Sequence, residues 1–325
     1  PSMSLVSVGV VTWHSEREIA ACLASVRAQT HPDVELLVAD NDSRDGTRAA
    51  LERETAAHER VWLDRNTGFA AAHNLLIARS RGDFYLALNP DVTVAADYVE
   101  RLVTARAAGD RIGSATGKLL RREPAGVLDS TGMVMLPSVR HLDRGADEPD
   151  RGQYDREEDV FGASGAAALY AGAMLDDARV EGEWFDEDFF AYREDADLAW
   201  RAQLLGWRCR YVPGAVAIHG RRVTPERRGL LPAGINRWSV RNRFLLRLKN
   251  QTAAHALAFA APALTRDAMV VAYVLLRERT SLGGLADVVR LLPRMLRKRR
   301  AIMARRRANA GDIARWFRNS TQPHF

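Results

Sequence analysis

Cysteine is scarce: the 325 residues include two, Cys22 and Cys209. Two thiols can neither staple a disulfide scaffold nor complete a four-thiolate zinc site. Both lie in apolar-patterned stretches and read as buried, reduced thiols. Long hydrophobic runs are missing too. The stretch Ala253 to Leu276 is broken by His255, Arg266 and Asp267, and its longest clean piece is Ala268 to Leu276. That is far short of the roughly 20 residues a membrane-spanning helix needs. The turn after the first apolar run, Trp13-His14-Ser15-Glu16, holds no glycine. A Gly-rich phosphate loop, and with it a sugar-phosphate nucleotidyltransferase, is disfavoured. The start, Pro1-Ser2-Met3-Ser4, has neither a basic flank nor an apolar core, so no secretory signal is expected there. Pro1-Ser2 ahead of Met3 reads as a cloning remnant.

What is present is the composition of a folded chain, 47% hydrophobic and 27% charged, long enough for about two domains. The net charge of +6 hides an asymmetry. Residues 221–325 carry 23 Lys and Arg against 5 Asp and Glu, a net of +18, while residues 1–220 carry 24 against 36, a net of −12. A basic block of that kind points to an anionic partner, a membrane surface or a nucleic acid.

Short strand-like runs at 5–12, 34–39, 60–64 and 84–88, the first rich in β-branched residues, alternate with helical spacing at 16–29, 46–57 and 69–80. Helices between buried apolar strands predict an α/β fold with a parallel, doubly wound sheet. Residues 112–137 read as strands and turns, and the polar 138–160 as a flexible loop. A helix is expected from about 194, strands at 208–212 and 215–218, and helix throughout from about 234. Residues 282–300 set Leu282, Leu285, Val288, Val289, Leu292 and Leu296 on one side, with Arg290, Arg294, Arg297 and Lys298 largely elsewhere. A basic amphipathic helix suits an anionic membrane surface; the plainer reading docks the apolar stripe on the main domain.

In open sheets of this kind ligands bind beyond the carboxyl ends of the strands. Those ends carry Trp13-His14, Asp40-Asn41-Asp42, Arg65-Asn66-Thr67-Gly68 and Asn89-Pro90-Asp91. Asp40 is placed to accept hydrogen bonds from a nucleoside, or to cap the next helix. Trp13 offers a flat face for a base. Asp91 is a hard oxygen ligand suited to Mg2+ or Mn2+ holding a diphosphate, or a turn former beside Pro90. Residues 185–198 contain six acids and four aromatics, more aromatics than a solvated charge run requires. Within them Glu194 and Asp195 fall where a helix begins, and one could act as general base toward an acceptor hydroxyl. His219, closing an apolar run, could join Asp91 at a metal.

Taken in order, T-W-H-S, A-D-N-D-S-R-D-G-T, N-T-G-F-A-A-A-H-N, L-N-P-D-V, G-A-A-A-L, F-D-E-D-F-F-A-Y-R-E-D-A-D-L and Y-V-P-G-A-V-A-I-H-G resemble the family 2 glycosyltransferases of the GT-A fold. The bacterial rhamnosyltransferase-like subgroup of cell-wall and O-antigen assembly is the most similar. The resemblance spans about residues 5–222. It implies a GT-A domain over 1–225, with a mostly parallel sheet flanked by helices. Residues 226–325 are left as a basic helical region for membrane-surface association.

The resemblance also implies an inverting, metal-dependent hexosyltransferase. The nucleotide site would draw on Thr12, Trp13, Asp40, Asn66, Gly68, Asn74, Asn89 and Asp91. His14 departs from the usual asparagine. Asp91 and His219 would hold Mg2+ or Mn2+, and Asp195 beside Glu194 would be the base. The implied partners are a nucleotide-sugar donor, dTDP-rhamnose first, a polyprenyl-diphosphate-linked glycan acceptor and an anionic membrane at the cytoplasmic face of the cell membrane. Galactofuranose, mannose or galactose donors remain open. A nucleic-acid reader is disfavoured, because nothing in 1–220 looks like one. So is a processive synthase, because Asn236-Arg237-Trp238 lacks the glutamine of its Q-x-x-R-W motif.

Overall fold

The computed structural model describes residues 4–107, 109, 111–221 and 233–318. β1 (Val6–Thr12), α1 (Ile19–Arg27), β2 (Val34–Asp40), α2 (Thr47–Glu54), β3 (Arg60–Trp62), α3 (Gly68–Arg79) and β4 (Phe84–Leu88) alternate as the sequence predicts. Apolar side chains fill β1, β2 and β4, with valine frequent in the first two, because these strands are buried on both faces of the sheet. Next come β5 (Val92–Val94), α4 (Tyr98–Ala107), β6 (Ile112–Arg121), β7 (Leu128–Ser130), β8 (Met133–Met135) and β9 (His141–Asp143). They are followed by β10 (Glu158–Val160), β11 (Ala167–Ala171), α5 (Gly172–Ala178), α6 (Glu194–Leu204) and β12 (Arg208–His219). The tail is helical: α7 (Ala233–Asn250), α8 (Ala253–Ala258), α9 (Ala260–Leu276), α10 (Leu282–Arg305) and α11 (Ala310–Arg318).

The main sheet runs β10-β12-β6-β11-β4-β1-β2-β3. It is mostly parallel along this order, but β11 lies antiparallel to both β4 and β6, and β10 antiparallel to β12. Register places the later chemistry. Thr12 stands opposite Asp40, and His219 opposite Val92, one residue past Asp91. Residues 138–160 are not a free loop. β9 pairs with β8, and Lys118 Nζ bonds Asp150 at 3.0 Å and also Asp155, so two of the loop's acids tie it to β6.

The expected boundary at 225/226 lies outside the described residues. The helices beyond it share a core with the sheet domain. Phe161, Phe189, Trp200 and Leu204 pack with Leu245, Phe259, Met295, Ile302 and Phe317. The face α10 turns inward carries Gly284, Asp287, Met295, Lys298 and Ile302. Leu282, Val289 and Leu296 of the expected apolar stripe are exposed instead. The reason is electrostatic: Lys298 is drawn inward to Asp186 and Asp188 at 2.6 and 2.9 Å. Much of the tail's charge is spent internally in the same way. Arg243 meets Asp267, Arg297 meets Glu181 and Arg307 meets Asp177. Among the described residues no helix is long and apolar enough to cross a membrane.

Candidate active site

Two groups of polar residues form at the carboxyl ends of the strands. The first closes β1, β2 and β3. Asp40 is fully buried and accepts from Thr12 Oγ1 (2.9 Å), the Ser43 amide (3.1 Å) and Arg48 Nε (2.7 Å). Beside it Trp13 is 48% exposed, its ring 4.8 Å from that of His14. Asn41 ties this end to the next turn, accepting from the Thr67 amide (2.9 Å) and donating to the Gly68 carbonyl (3.0 Å). Asn66 accepts from the Gly68 amide at 2.9 Å. Gly68 has φ +85°, and a Cβ there would lie 2.4 Å from the Phe190 carbonyl oxygen, so only glycine fits. Asn74 is buried elsewhere. Its amide is committed to the Phe185 backbone, accepting at 2.8 Å and donating at 2.7 Å, with Glu187 as a further acceptor.

The second group lines a cavity of about 940 Å³. Asn89 and Asp91 after β4, His219 at the end of β12, and Glu194 with Asp195 at the start of α6 all face it. The first group does not line this cavity; Phe69, next to Gly68, is the point where the two adjoin. The far wall is tail, with Asn236, Ser239 and Val240 of α7 and Arg266, Met269, Val270 and Tyr273 of α9.

His219 holds Asp91 Oδ1 3.4 Å from Nε2 and Asp129 Oδ2 2.7 Å from Nδ1. Burial alone would lower its pKa, but the bonds to the two carboxylates override that and carry it up to about 9. Burial opposes ionisation of Asp129, yet His219 and Arg221 hold its carboxyl below the ordinary range. Arg221 bridges Asp129 (2.7 Å) and Asp143 (3.2 Å). A carboxylate behind a histidine, fixing its ring so that the other nitrogen faces a second carboxylate, is the arrangement of a metal-ligating imidazole. Among the described residues no group of three His, Cys, Asp or Glu could hold an ion alone. Asp91 and His219 therefore fit a divalent cation that takes its other ligands from phosphate oxygens and water. Asp129 was not legible as part of this site, because β7 is only three residues long and carries no strand-end signal.

Asp195 accepts from the Gly165 amide (2.9 Å) and from the Ala196 amide (2.7 Å). Burial outweighs those bonds and raises its pKa to about 6. Glu194 is pushed well above the ordinary carboxylate range by burial and then by Asp195, and its Oε2 has no partner. The two neighbours are thus separated, one favouring the acid form and the other ionised near neutrality. The loop before them is strained. Phe190, Tyr192 and Arg193 all have φ between 64° and 72°. Asn242 of α7 holds it by donating to the carbonyls of Phe189, Ala191 and Tyr192 at 2.8–2.9 Å. Nothing local in sequence links Asn242 to this loop.

Residues 7–125 match the family model for glycosyl transferase family 2. An N-acetylglucosaminyl-diphospho-decaprenol L-rhamnosyltransferase of Mycobacterium tuberculosis is 29% identical over 238 residues, 66% of this chain and 76% of that protein. An N-acetylglucosaminyltransferase of Rhizobium meliloti is 27% identical over 210 residues, 61% of this chain and 46% of that protein. Among solved structures, residues 1–349 of Staphylococcus aureus TarS with UDP-GlcNAc superpose with TM-score 0.56 at 18% identity, covering 92% of this chain and 88% of that one. A mannosyltransferase from Pyrobaculum calidifontis, with GDP-Man and Mn2+, gives 0.54 at 18% identity, covering 93% and 85%. These structural likenesses are likenesses of fold.

Proposed function

We propose a donor and an acceptor for a chain that belongs to glycosyl transferase family 2 and has the GT-A arrangement of sheet and helices. The reading is an inverting transfer of L-rhamnose from dTDP-rhamnose to a hydroxyl of a polyprenyl-diphosphate-linked sugar. The observation that carries the chemistry is one cavity holding Asp91 and His219 on one side and an ionisable, backbone-anchored Asp195 on another. The rhamnosyltransferase relative, similar over two thirds of this chain, supports the choice of sugar and acceptor.

In this reading Thr12, Trp13, Asp40, Asn66 and Gly68 form the nucleoside end, and Asn89 and Asp91 lie at the diphosphate. Asn74 acts at one remove, by fixing the backbone at Phe185. Asp195, held by two amides, takes the proton of the acceptor hydroxyl as that oxygen attacks the anomeric carbon. The bond from that carbon to the nucleoside diphosphate breaks on the opposite face, which inverts the centre. Glu194, kept in its acid form, adds no second negative charge beside the base. A divalent cation, Mg2+ or Mn2+, held by Asp91 and His219 would neutralise charge on the leaving diphosphate. The enzyme works at the cytoplasmic face of the cell membrane as a peripheral protein. The exposed apolar residues of α9 and α10, with nearby arginines, meet an anionic surface there.

The test is a transfer assay with dTDP-, UDP- and GDP-sugars and a short-chain N-acetylglucosaminyl diphosphate lipid. Turnover of dTDP-rhamnose above the other donors is expected. Preference for a UDP- or GDP-hexose would replace rhamnose, and turnover of none would reject the acceptor class.

A further inference from the structure

The cavity gathers charge of both signs. Asp91, Asp129, Asp143 and Asp195 line it, and so do Arg140, Arg193, Arg243 and Arg266, of which Arg140, Arg243 and Arg266 lie close enough to repel one another. The acids are matched, by Arg221 and His219 or by backbone amides. Two of the arginine side chains, Arg140 and Arg266, are not matched in kind. Arg243 shares Asp267 with Arg247, and Arg193 contacts His141 at 2.8 Å. The side chains of Arg140 and Arg266 make no hydrogen bond or ion pair among the described residues, and Arg266 Nε is buried without a partner. Burial and the repulsion of Arg266 and Arg243 lower the pKa of Arg140. Cations gathered without a counter-charge are stabilised by an anion able to bridge them.

What adjoins the cluster narrows the anion. Along α9 the residues facing the cavity are Arg266, Met269, Val270, Tyr273 and Val274, one helical stripe that begins charged and continues apolar. From Arg266 to Tyr273 that stripe runs about 10 Å. Met269 and Tyr273 are themselves 57% and 49% exposed, so the apolar part of the stripe opens to the surface. A ligand with an anionic head and a hydrocarbon chain has this order of polarity.

We propose that Arg140, Arg243 and Arg266 seat the diphosphate of an isoprenoid-diphosphate acceptor whose chain runs along Met269, Val270 and Tyr273 of α9. This rests on the lipid-acceptor reading above and adds the residues that recognise the head and the chain. The donor's diphosphate belongs elsewhere, at Asp91 and His219.

The test measures binding to the full chain by tryptophan fluorescence. The probes are farnesyl diphosphate, inorganic pyrophosphate, farnesol and dTDP with Mn2+. Farnesyl diphosphate should bind wild type more tightly than pyrophosphate or farnesol. The double variant Arg140→Gln/Arg266→Gln should lose roughly tenfold or more in farnesyl diphosphate affinity while keeping dTDP affinity, which also reports an intact fold. Met269→Gln/Tyr273→Gln should weaken farnesyl diphosphate and leave pyrophosphate unchanged. Wild-type affinity for farnesyl diphosphate in the arginine variant overturns the site. So does an equal loss for dTDP in a variant that unfolds at the wild-type urea midpoint, which would assign the arginines to the donor. If wild type transfers sugar to the lipid acceptor and only these variant effects fail, the site is wrong and the lipid-acceptor reading stands. If wild type neither transfers to the lipid acceptor nor binds farnesyl diphosphate, the reading itself fails.

Discussion

Lys249 Nζ lies 2.7 Å from Asp197 Oδ2, with both side chains sealed from solvent, and the same ammonium reaches Asp186. Lys249 is the penultimate residue of α7, and Asp197 sits in the first turn of α6, two residues past Asp195. A tail residue thus fixes the helix that presents Asp195, the proposed base. The two carboxylates are also served by Arg201, Asn250 and Lys298. The basic tail is in this respect part of the active-site framework.

Removing that ammonium strands buried charge. Breaking one partner of a buried ion pair costs about 3–5 kcal/mol. Lys249→Met is expected to lower unfolding stability by about that much in urea titration, with a parallel loss of turnover at temperatures where wild type is fully folded. An unchanged denaturation midpoint would mean that the pair contributes little.

The raised pKa of Asp195 sets a pH dependence. A general base works when ionised, and burial places the ionisation at about 6. Activity should therefore be full above that value and fall as pH drops through it, by about tenfold per unit on the acid side. A pH profile of kcat/KM checks the sign and the position. Asp195→Asn should abolish transfer while nucleotide binding persists; robust residual turnover would give the proton to another group.

Glu194 makes the contrasting prediction. Burial and then the adjacent Asp195 push its carboxyl well above the ordinary carboxylate range, toward the acid form. Glu194→Gln replaces a neutral group by a neutral isostere, so kcat should fall by less than about tenfold, far less than for Asp195→Asn. Equal losses in the two variants would show that the acids act as a pair.

How much of this was legible in the chain depends on distance along it. Asp40, Asp91 and His219 are legible because each follows an apolar strand, and in such sheets strand ends converge. Asp195 is legible because a helix start lies beside an aromatic cluster too rich for a solvated run. Asp129 is not, since a three-residue strand leaves no pattern to read. Asn242 and Arg266 are not, because they reach the site through tertiary packing of a tail whose sequence advertises only charge. That charge suggested an external partner, and Lys249, Lys298 and Arg307 show how much of it is answered inside the molecule. The direction of β11 is not legible for a related reason: Ala167 to Ala171 is apolar throughout, and a fully buried strand carries no sign of its direction.

The last prediction concerns a residue that would touch no substrate. Asp129 accepts from His219 Nδ1 at 2.7 Å and so aims Nε2 at Asp91. A carboxylate in that position fixes the ring and strengthens the imidazole as a ligand, and its loss typically weakens metal affinity about 10–100-fold. Activity should vanish in EDTA and return with Mn2+ or Mg2+. In Asp129→Asn the Mn2+ concentration for half-activation should rise by about that factor, with turnover at saturating Mn2+ close to wild type. His219→Ala should raise the requirement at least as far, whereas Asp91→Asn should remove metal activation altogether. The ordering of the three distinguishes orientation from ligation. If Asp129→Asn instead lowered turnover at every Mn2+ concentration with the half-activation point unmoved, its carboxylate would serve the fold around Arg221 and not the metal.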